Sequence, residues 1–272
     1  MKIAILGING MLGTAVMRRF QDAGIPFTGF ARPEFDATRP DAAKLRGYDY
    51  IINCIGVIKP YIHDNNSDEV SRAIKINAEF PHWLSNLDAR IIQIATDCVW
   101  DGVRGAYTET DAHNATDVYG KTKSLGEVAA DNFLNLRCSI IGREKKSFLS
   151  LLEWFLNQPA NAKLNGFRNH LWNGVTTDAF ADICAGIITN DAWFAGMQHV
   201  VPADTVSKAD MLHTFADRFG RGDIEITDMD AATPVNRTIA TNNPARNSAI
   251  WHAAGYSQIP RVTEMIYNIR GI

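Results

Sequence analysis

Apolar and polar positions along this chain fall into alternating blocks. Lys2–Leu6, Pro26–Ala31, Asp49–Gly56, Ala89–Thr96 and Asn135–Gly142 are short apolar runs bounded by polar residues or glycine. Such runs suit parallel strands buried on both faces. Between them lie stretches with helical spacing. Thr14–Gly24 ends on a glycine stop, Ser67–Leu84 repeats Val70, Ile74, Ile76, Phe80, Trp83 and Leu84, and Lys121–Phe133 follows a polar loop. Farther on, Asp178–Ile188 reads as a helix, Gly196–Pro202 as a strand, and Ser207–Phe219 as a helix with a serine N-cap. Strands alternating with helices predict an α/β fold built on a doubly wound parallel sheet.

Composition narrows the picture without directing it. The 272 residues are 46% hydrophobic and 21% charged, enough for one large core. A formal net charge of −3 gives no pull toward nucleic acid or an anionic membrane. The four cysteines, at 54, 98, 138 and 184, show no Cys-x-x-Cys and no histidine at metal spacing, so free thiols in a reducing compartment and no metal site are expected. No run of 18 apolar residues appears, and the opening Met-Lys-Ile-Ala-Ile-Leu-Gly reaches glycine too soon for a signal peptide. A cytoplasmic protein is the expectation.

Three clusters carry candidate chemistry. Gly7-Ile-Asn-Gly-Met-Leu-Gly13 follows the first strand and opens a helix, the setting in which glycines let the backbone approach a pyrophosphate and the helix N-terminus offers free N–H groups. Its spacing is G-x-x-G-x-x-G. The second strand runs into Ala31-Arg32 with no acid at that point. A guanidinium suits a 2′-phosphate, so NADP(H) is favoured over NAD(H), although Glu34 and Asp36 lie close. Thr96 stands at the C-terminal end of its strand, where open α/β sheets bind ligands. Tyr119 and Lys123, at i and i+4, share a helix face. An ammonium beside a phenol lowers the phenol's pKa and suits it to proton transfer at a carbonyl. Asn77 is either an orienting group within the fold or a surface amide.

In Gly7-x-x-Gly10-x-x-Gly13, Asn53-Cys-Ile-Gly56, Thr96-Asp-Cys-Val-Trp-Asp-Gly102 and Val118-Tyr-Gly-Lys-Thr-Lys-Ser-Leu-Gly-Glu127, the chain resembles an extended short-chain dehydrogenase/reductase. More narrowly, it resembles the dTDP-4-dehydrorhamnose reductase branch of nucleotide-sugar reductases. The resemblance implies a Rossmann nucleotide-binding domain over residues 1–145. A smaller substrate-binding lobe takes most of 146–272, with about 174–202 returning to the main domain. It implies Thr96, Tyr119 and Lys123 as the catalytic set. The implied cofactor surface is Gly7, Asn9, Gly10, Met11, Leu12, Gly13, Arg32, Asp36, Cys54, Ile55, Gly56, Asn77, Ala95, Ser139 and Ile140, together with Tyr119 and Lys123. Asp97, Arg168, Trp172 and Arg237 are the substrate-side candidates, the last for a diphosphate. For Arg168, Trp172 and Arg237 a salt bridge or a core aromatic role is the other reading. His170 and His199 have no partner that the sequence reveals.

The implied reaction is NADPH-dependent reduction of a 4-keto group on a nucleotide-linked deoxysugar, with Tyr119 as general acid, in a monomer or homodimer. Two alternatives share the scaffold. One is an NAD-dependent epimerase or dehydratase, although Cys98 follows Asp97 where a dehydratase usually carries a second acid. The other is a non-catalytic NADP-binding regulatory subunit.

Overall fold

Four of the five apolar runs near the front of the chain supply the buried strands at the centre of the molecule. A computed structural model of the protein describes residues 1–145 and 148–271; residues 146, 147 and 272, at the limits of the expected lobe, lie outside the described set. In chain order the strands are β1 (Ile3–Leu6), β2 (Thr28–Phe30), β3 (Tyr50–Asn53), β4 (Arg90–Ala95), β5 (Phe133–Arg137), β6 (Ile140–Ile141), β7 (Lys163–Phe167), β8 (His170–Trp172), β9 (Val175–Thr176), β10 (Gly196–His199), β11 (Val206–Ser207), β12 (Glu225–Met229) and β13 (Val235–Asn236). The helices are α1 (Met11–Asp22), α2 (Ser67–Ala73), α3 (Phe80–Leu84), α4 (Val118–Leu125), α5 (Leu151–Leu156), α6 (Thr177–Thr189), α7 (Lys208–Arg218), α8 (Pro244–Ala253) and α9 (Val262–Tyr267).

Six strands form one wholly parallel sheet in the order β10-β5-β4-β3-β1-β2. Every residue of β1, β3 and β5 is buried, as continuous apolar runs require when helices cover both faces. One face packs against α1 and α6, the latter almost apolar throughout, and this core continues without a break into α5, α7, α8 and α9. The other face packs under Ile76, Phe80 and Leu84. The remaining strands make three small sheets, β11-β8-β13, β12-β7 and β6-β9, in the second half of the chain. Among the described residues no helix is long and apolar enough to cross a membrane.

Two helices differ from the simple spacing. The expected helix Ser67–Leu84 is continuous, but Ile74–Glu79 adopts π geometry and carries Asn77 inward. The expected helix Lys121–Phe133 begins earlier, at Val118, and stops at Leu125. Gly126 explains the stop. A Cβ there would sit 1.8 Å from the Asn77 carbonyl oxygen, so the two backbones touch where only glycine fits. The contact locks α4 against the π segment.

Beneath the C-terminal edge of the sheet lies a buried polar hub. Arg137, only 1% exposed, donates from Nε to Glu127 Oε1 (3.0 Å) and from Nη2 to Glu127 Oε2. Its Nη1 reaches His199 Nε2 at 2.7 Å and its Nη2 reaches His113 Nε2 at 2.9 Å. Guanidinium can only donate, so both Nε2 atoms accept and both histidines are neutral with the proton on Nδ1. His199 Nδ1 accordingly donates to the Ala240 carbonyl (2.6 Å), and His113 Nδ1 lies 2.7 Å from Ser124 Oγ. The guanidinium also stacks 4.7 Å from the Trp100 ring centroid.

Burial, with Arg137 second, pushes His199 down to about 4, and burial also lowers His113. The unfolded histidine titrates near ~6.5, so from about 6.5 down to 4 the unfolded chain takes up a proton that the folded chain refuses. Stability is therefore full above about 6.5 and falls as pH drops through this window, by roughly 2–3 kcal/mol for His199. Urea midpoints measured from pH 7 to 4 should show this fall, shallower in His199→Gln. Gly126→Ala should cost about 1–3 kcal/mol in the same assay at pH 7, because neither backbone has room to move.

Candidate active site

β1 delivers the chain into Gly7–Gly13 at the C-terminal edge of the sheet. Gly7 has φ of +82°, and a Cβ on it would come within 2.9 Å of Ile55 Cγ1. A Cβ on Gly13 would lie 2.1 Å from the Gly7 carbonyl oxygen. Gly10 donates its N–H to that oxygen at 3.0 Å and caps α1 without any side-chain acceptor. Asn9 and Gly10 are exposed, Met11 is half-buried and Leu12 is in the core. The result is a close-packed backbone cradle with helix N–H groups facing outward, and it fits a diphosphate.

The neighbouring strand ends complete this edge. Cys54 donates its N–H to Leu6 O, and Ile55 donates its N–H to Asn53 Oδ1. Ala95 is buried at the end of β4, while Gly56 is exposed and Ser139 and Ile140 are half-buried. Beside the glycine turn, Gly7 N–H bonds Phe30 O, placing Arg32 just beyond that contact. Arg32 is exposed and 3.8 Å from Asp36. The Asp36 carboxylate accepts from Thr38 N and Oγ1, which hold it below the usual carboxylate range, aided by Arg32 and Arg39. Arg39, which the sequence reading missed, therefore adds a second cation here.

Asn77 turns out to be the orienting group. It is 2% exposed, accepts from Val57 N (2.8 Å) and donates to Val57 O (2.9 Å) and Thr122 Oγ1 (3.3 Å). Its amide thus fastens the loop after β3 to α4.

The catalytic candidates meet where α4 packs against the turn Asp97–Val99. Thr96 ends β4, is 7% exposed, and accepts from Cys98 N (3.2 Å) while its hydroxyl lies 3.3 Å from Asp97 Oδ1. Asp117 caps α4 by accepting from Gly120 N at 2.8 Å, fixing the first turn that carries Tyr119. Burial pushes the Tyr119 phenol well above its ordinary value, Cys98 adds to this, and the Thr96 hydroxyl opposes it. Lys123 donates to the Ile94 carbonyl at 2.9 Å, and burial lowers its ammonium to about 8, opposed chiefly by Glu127. The expectation that the Lys123 ammonium lowers the Tyr119 phenol is thus corrected: the phenol is raised. Desolvation of both groups dominates, and the hydrogen bond the ammonium makes is to β4.

On the substrate side the candidates separate. Asp97 is buried, which raises its carboxyl against the pull of Arg237. Arg237 donates to the carbonyls of Trp100 and Asp101, each at 3.1 Å, so it is bound onto the Thr96–Gly102 block. Trp172 donates to Ser139 Oγ at 2.8 Å, which sets it beside the strand edge. Arg168 is not brought in. It lies at the β7–β8 turn, exposed, 3.3 Å from an equally exposed Asp230. Lys59, unremarked in the sequence, reaches from the loop after β3 to Asp117 at 2.8 Å.

The model of the RmlD substrate binding domain family matches residues 1–261. Methionine adenosyltransferase 2 subunit beta of Bos taurus is 30% identical over 140 residues, 47% of this chain and 42% of that protein, so the match spans less than half of that relative's length. A dTDP-4-dehydrorhamnose reductase of Burkholderia thailandensis is 25% identical over 233 residues, 80% of this chain and 76% of its own. Among solved structures, the dTDP-4-dehydrorhamnose reductase of Bacillus anthracis in complex with NADP superposes with a TM-score of 0.76 at 17% identity, covering 97% of this chain and 96% of its own. That likeness shows the fold alone. With the family model running from the glycine turn through the last small sheets, this chain belongs to the RmlD substrate binding domain family.

Proposed function

We propose that this protein reduces the 4-keto group of a nucleotide-linked deoxysugar with NADPH. The observation that carries the reading is the packing of α4 onto the Thr96–Val99 turn. It gathers Tyr119, Lys123 and Thr96 at the sheet edge that also holds the glycine cradle. The family assignment, and a relative named dTDP-4-dehydrorhamnose reductase, support the substrate class.

Residues 1–145 hold the nucleotide, and most of 148–271 closes over the sugar. The Gly7–Gly13 cradle takes the pyrophosphate, and Arg32 with Arg39 faces a 2′-phosphate, which favours NADP(H). When bound, the nicotinamide cofactor supplies the hydride. Tyr119, a phenol protonated across the neutral range and pushed higher still by desolvation, donates its proton to the alkoxide that forms at the sugar oxygen. The Thr96 hydroxyl turns from Asp97 to the same oxygen and stabilises its growing charge. Lys123, charged below about 8, offsets the negative charge left on Tyr119. Arg237, held by two carbonyls, presents its remaining donors to the substrate diphosphate.

A second reading has a specific observation behind it. The relative that is 30% identical over 47% of the chain is named as a subunit of another enzyme, which fits an accessory protein that binds nucleotide without turnover. NADPH oxidation with a dTDP-linked 4-keto-6-deoxy sugar separates the two readings: turnover supports the reductase, and tight binding without turnover supports the subunit.

Tyr119→Phe should lower turnover about 10²–10⁴-fold and leave NADPH affinity near normal. Unchanged turnover would remove the tyrosine from the mechanism. In fluorescence titrations, Arg32→Ala should reduce the preference for NADPH over NADH by roughly tenfold, one charge-assisted contact's worth. An unaltered ratio would place the 2′-phosphate elsewhere.

A further inference from the structure

Glu127 and Arg137 form a buried ion pair that the proposed chemistry does not use. Both Glu127 carboxylate oxygens are taken by Arg137, and the guanidinium is in turn fixed by His199, His113 and the Trp100 ring. Chain order and strand register bring the pair close to Lys123. Glu127 follows it by four positions, just past the Gly126 cap, and Arg137 pairs in register with Ala95, the residue after the carbonyl that holds the lysine. A buried ion pair of this kind is weak evidence for added stability, because desolvation offsets much of the attraction. Its placement calls for another explanation.

We propose that Glu127, clamped by Arg137, is a positioning residue: its fixed negative charge keeps the Lys123 side chain an ammonium while the lysine is withdrawn from water. The inference rests on the reductase reading only in what Lys123 then does.

On α4, Tyr119 shares the face of Lys123. β4 contributes the Ile94 carbonyl, the segment after β5 contributes Cys138, and the segment after α4 contributes Glu127. Asp97 acts on Cys138 from the next turn. Burial drives the Cys138 thiol strongly upward, so it stays neutral and adds no charge near neutral pH. Facing Glu127 are Arg137 and His113, and His113 is neutral by the hydrogen-bond argument above. Glu127 is therefore the formal negative charge nearest the lysine at neutral pH. The clamp also fixes direction: Arg137 holds both carboxylate oxygens, and the hydrogen bond Lys123 makes runs to Ile94 O and not to Glu127, so its other donors remain free toward the site.

The test is the pH dependence of both NADPH affinity and turnover, from pH 6 to 10, in the full-length protein. Wild type should lose both at alkaline pH as Lys123 deprotonates. In Glu127→Gln the alkaline limb should move about one unit toward acid, roughly a fivefold loss against wild type at pH 8, with affinity at pH 6 near wild type. Glu127→Gln/Arg137→Met removes both charges and leaves no buried charge unpaired; its limb should move toward acid by less, because the guanidinium that opposes the ammonium is gone as well. An alkaline limb unmoved in a folded variant of either kind, with melting temperature as the control, overturns the inference. If wild type binds NADPH but does not turn over, the binding limb still reads Lys123, and only the reductase reading fails.

Discussion

The arrangement depends on one buried cation. Arg137 sits at the end of a central strand, where a sheet would ordinarily place an apolar side chain, and every partner it has belongs to a different part of the chain. Glu127 brings in the end of α4, Trp100 the turn after β4, His113 the loop between them, and His199 the edge strand β10. A guanidinium without those partners would carry a desolvation cost of several kcal/mol, so the segments must assemble together or not at all. Thr96, Tyr119 and Lys123 ride on two of them. Their mutual geometry is thus a consequence of satisfying Arg137 as much as of any contact they make themselves.

Close backbone approach supplies the second constraint. Gly126 against Asn77 fixes α4 to the π segment, and Gly7 against Gly13 folds the first turn tightly. The buried amides of Asn53, Gln93 and Asn77 then tie strand ends, loop and helix into one hydrogen-bonded seam. Rigid elements of this kind hold side chains more precisely than loops do.

Much of this was legible from residue order. The buried strands β1, β3 and β4 announced themselves as apolar runs, and the glycine turn and strand-end threonine announced their places, because those features are local. What stayed hidden depends on partners far along the chain. Arg137 looked like one charge in an apolar run, since Glu127 is ten positions away and His199 sixty-two. Likewise His199 had no visible role, and Asn77 had two. Arg237 could be placed only once the segment 235–239 was seen to lie on Gly102 and Tyr107. The i, i+4 spacing of Tyr119 and Lys123 was right about the shared helix and silent about burial, and burial controls their protonation.

The central claim is that this site moves a hydride to a sugar carbonyl. The most direct measurement is the fate of deuterium from NADPH labelled at nicotinamide C4, incubated with a nucleotide-linked 4-keto-6-deoxy sugar and followed by mass spectrometry and proton NMR. The account predicts one deuterium at sugar C4, with one NADP⁺ formed per sugar reduced. NADPH bound at the glycine cradle with no label reaching the sugar would contradict it.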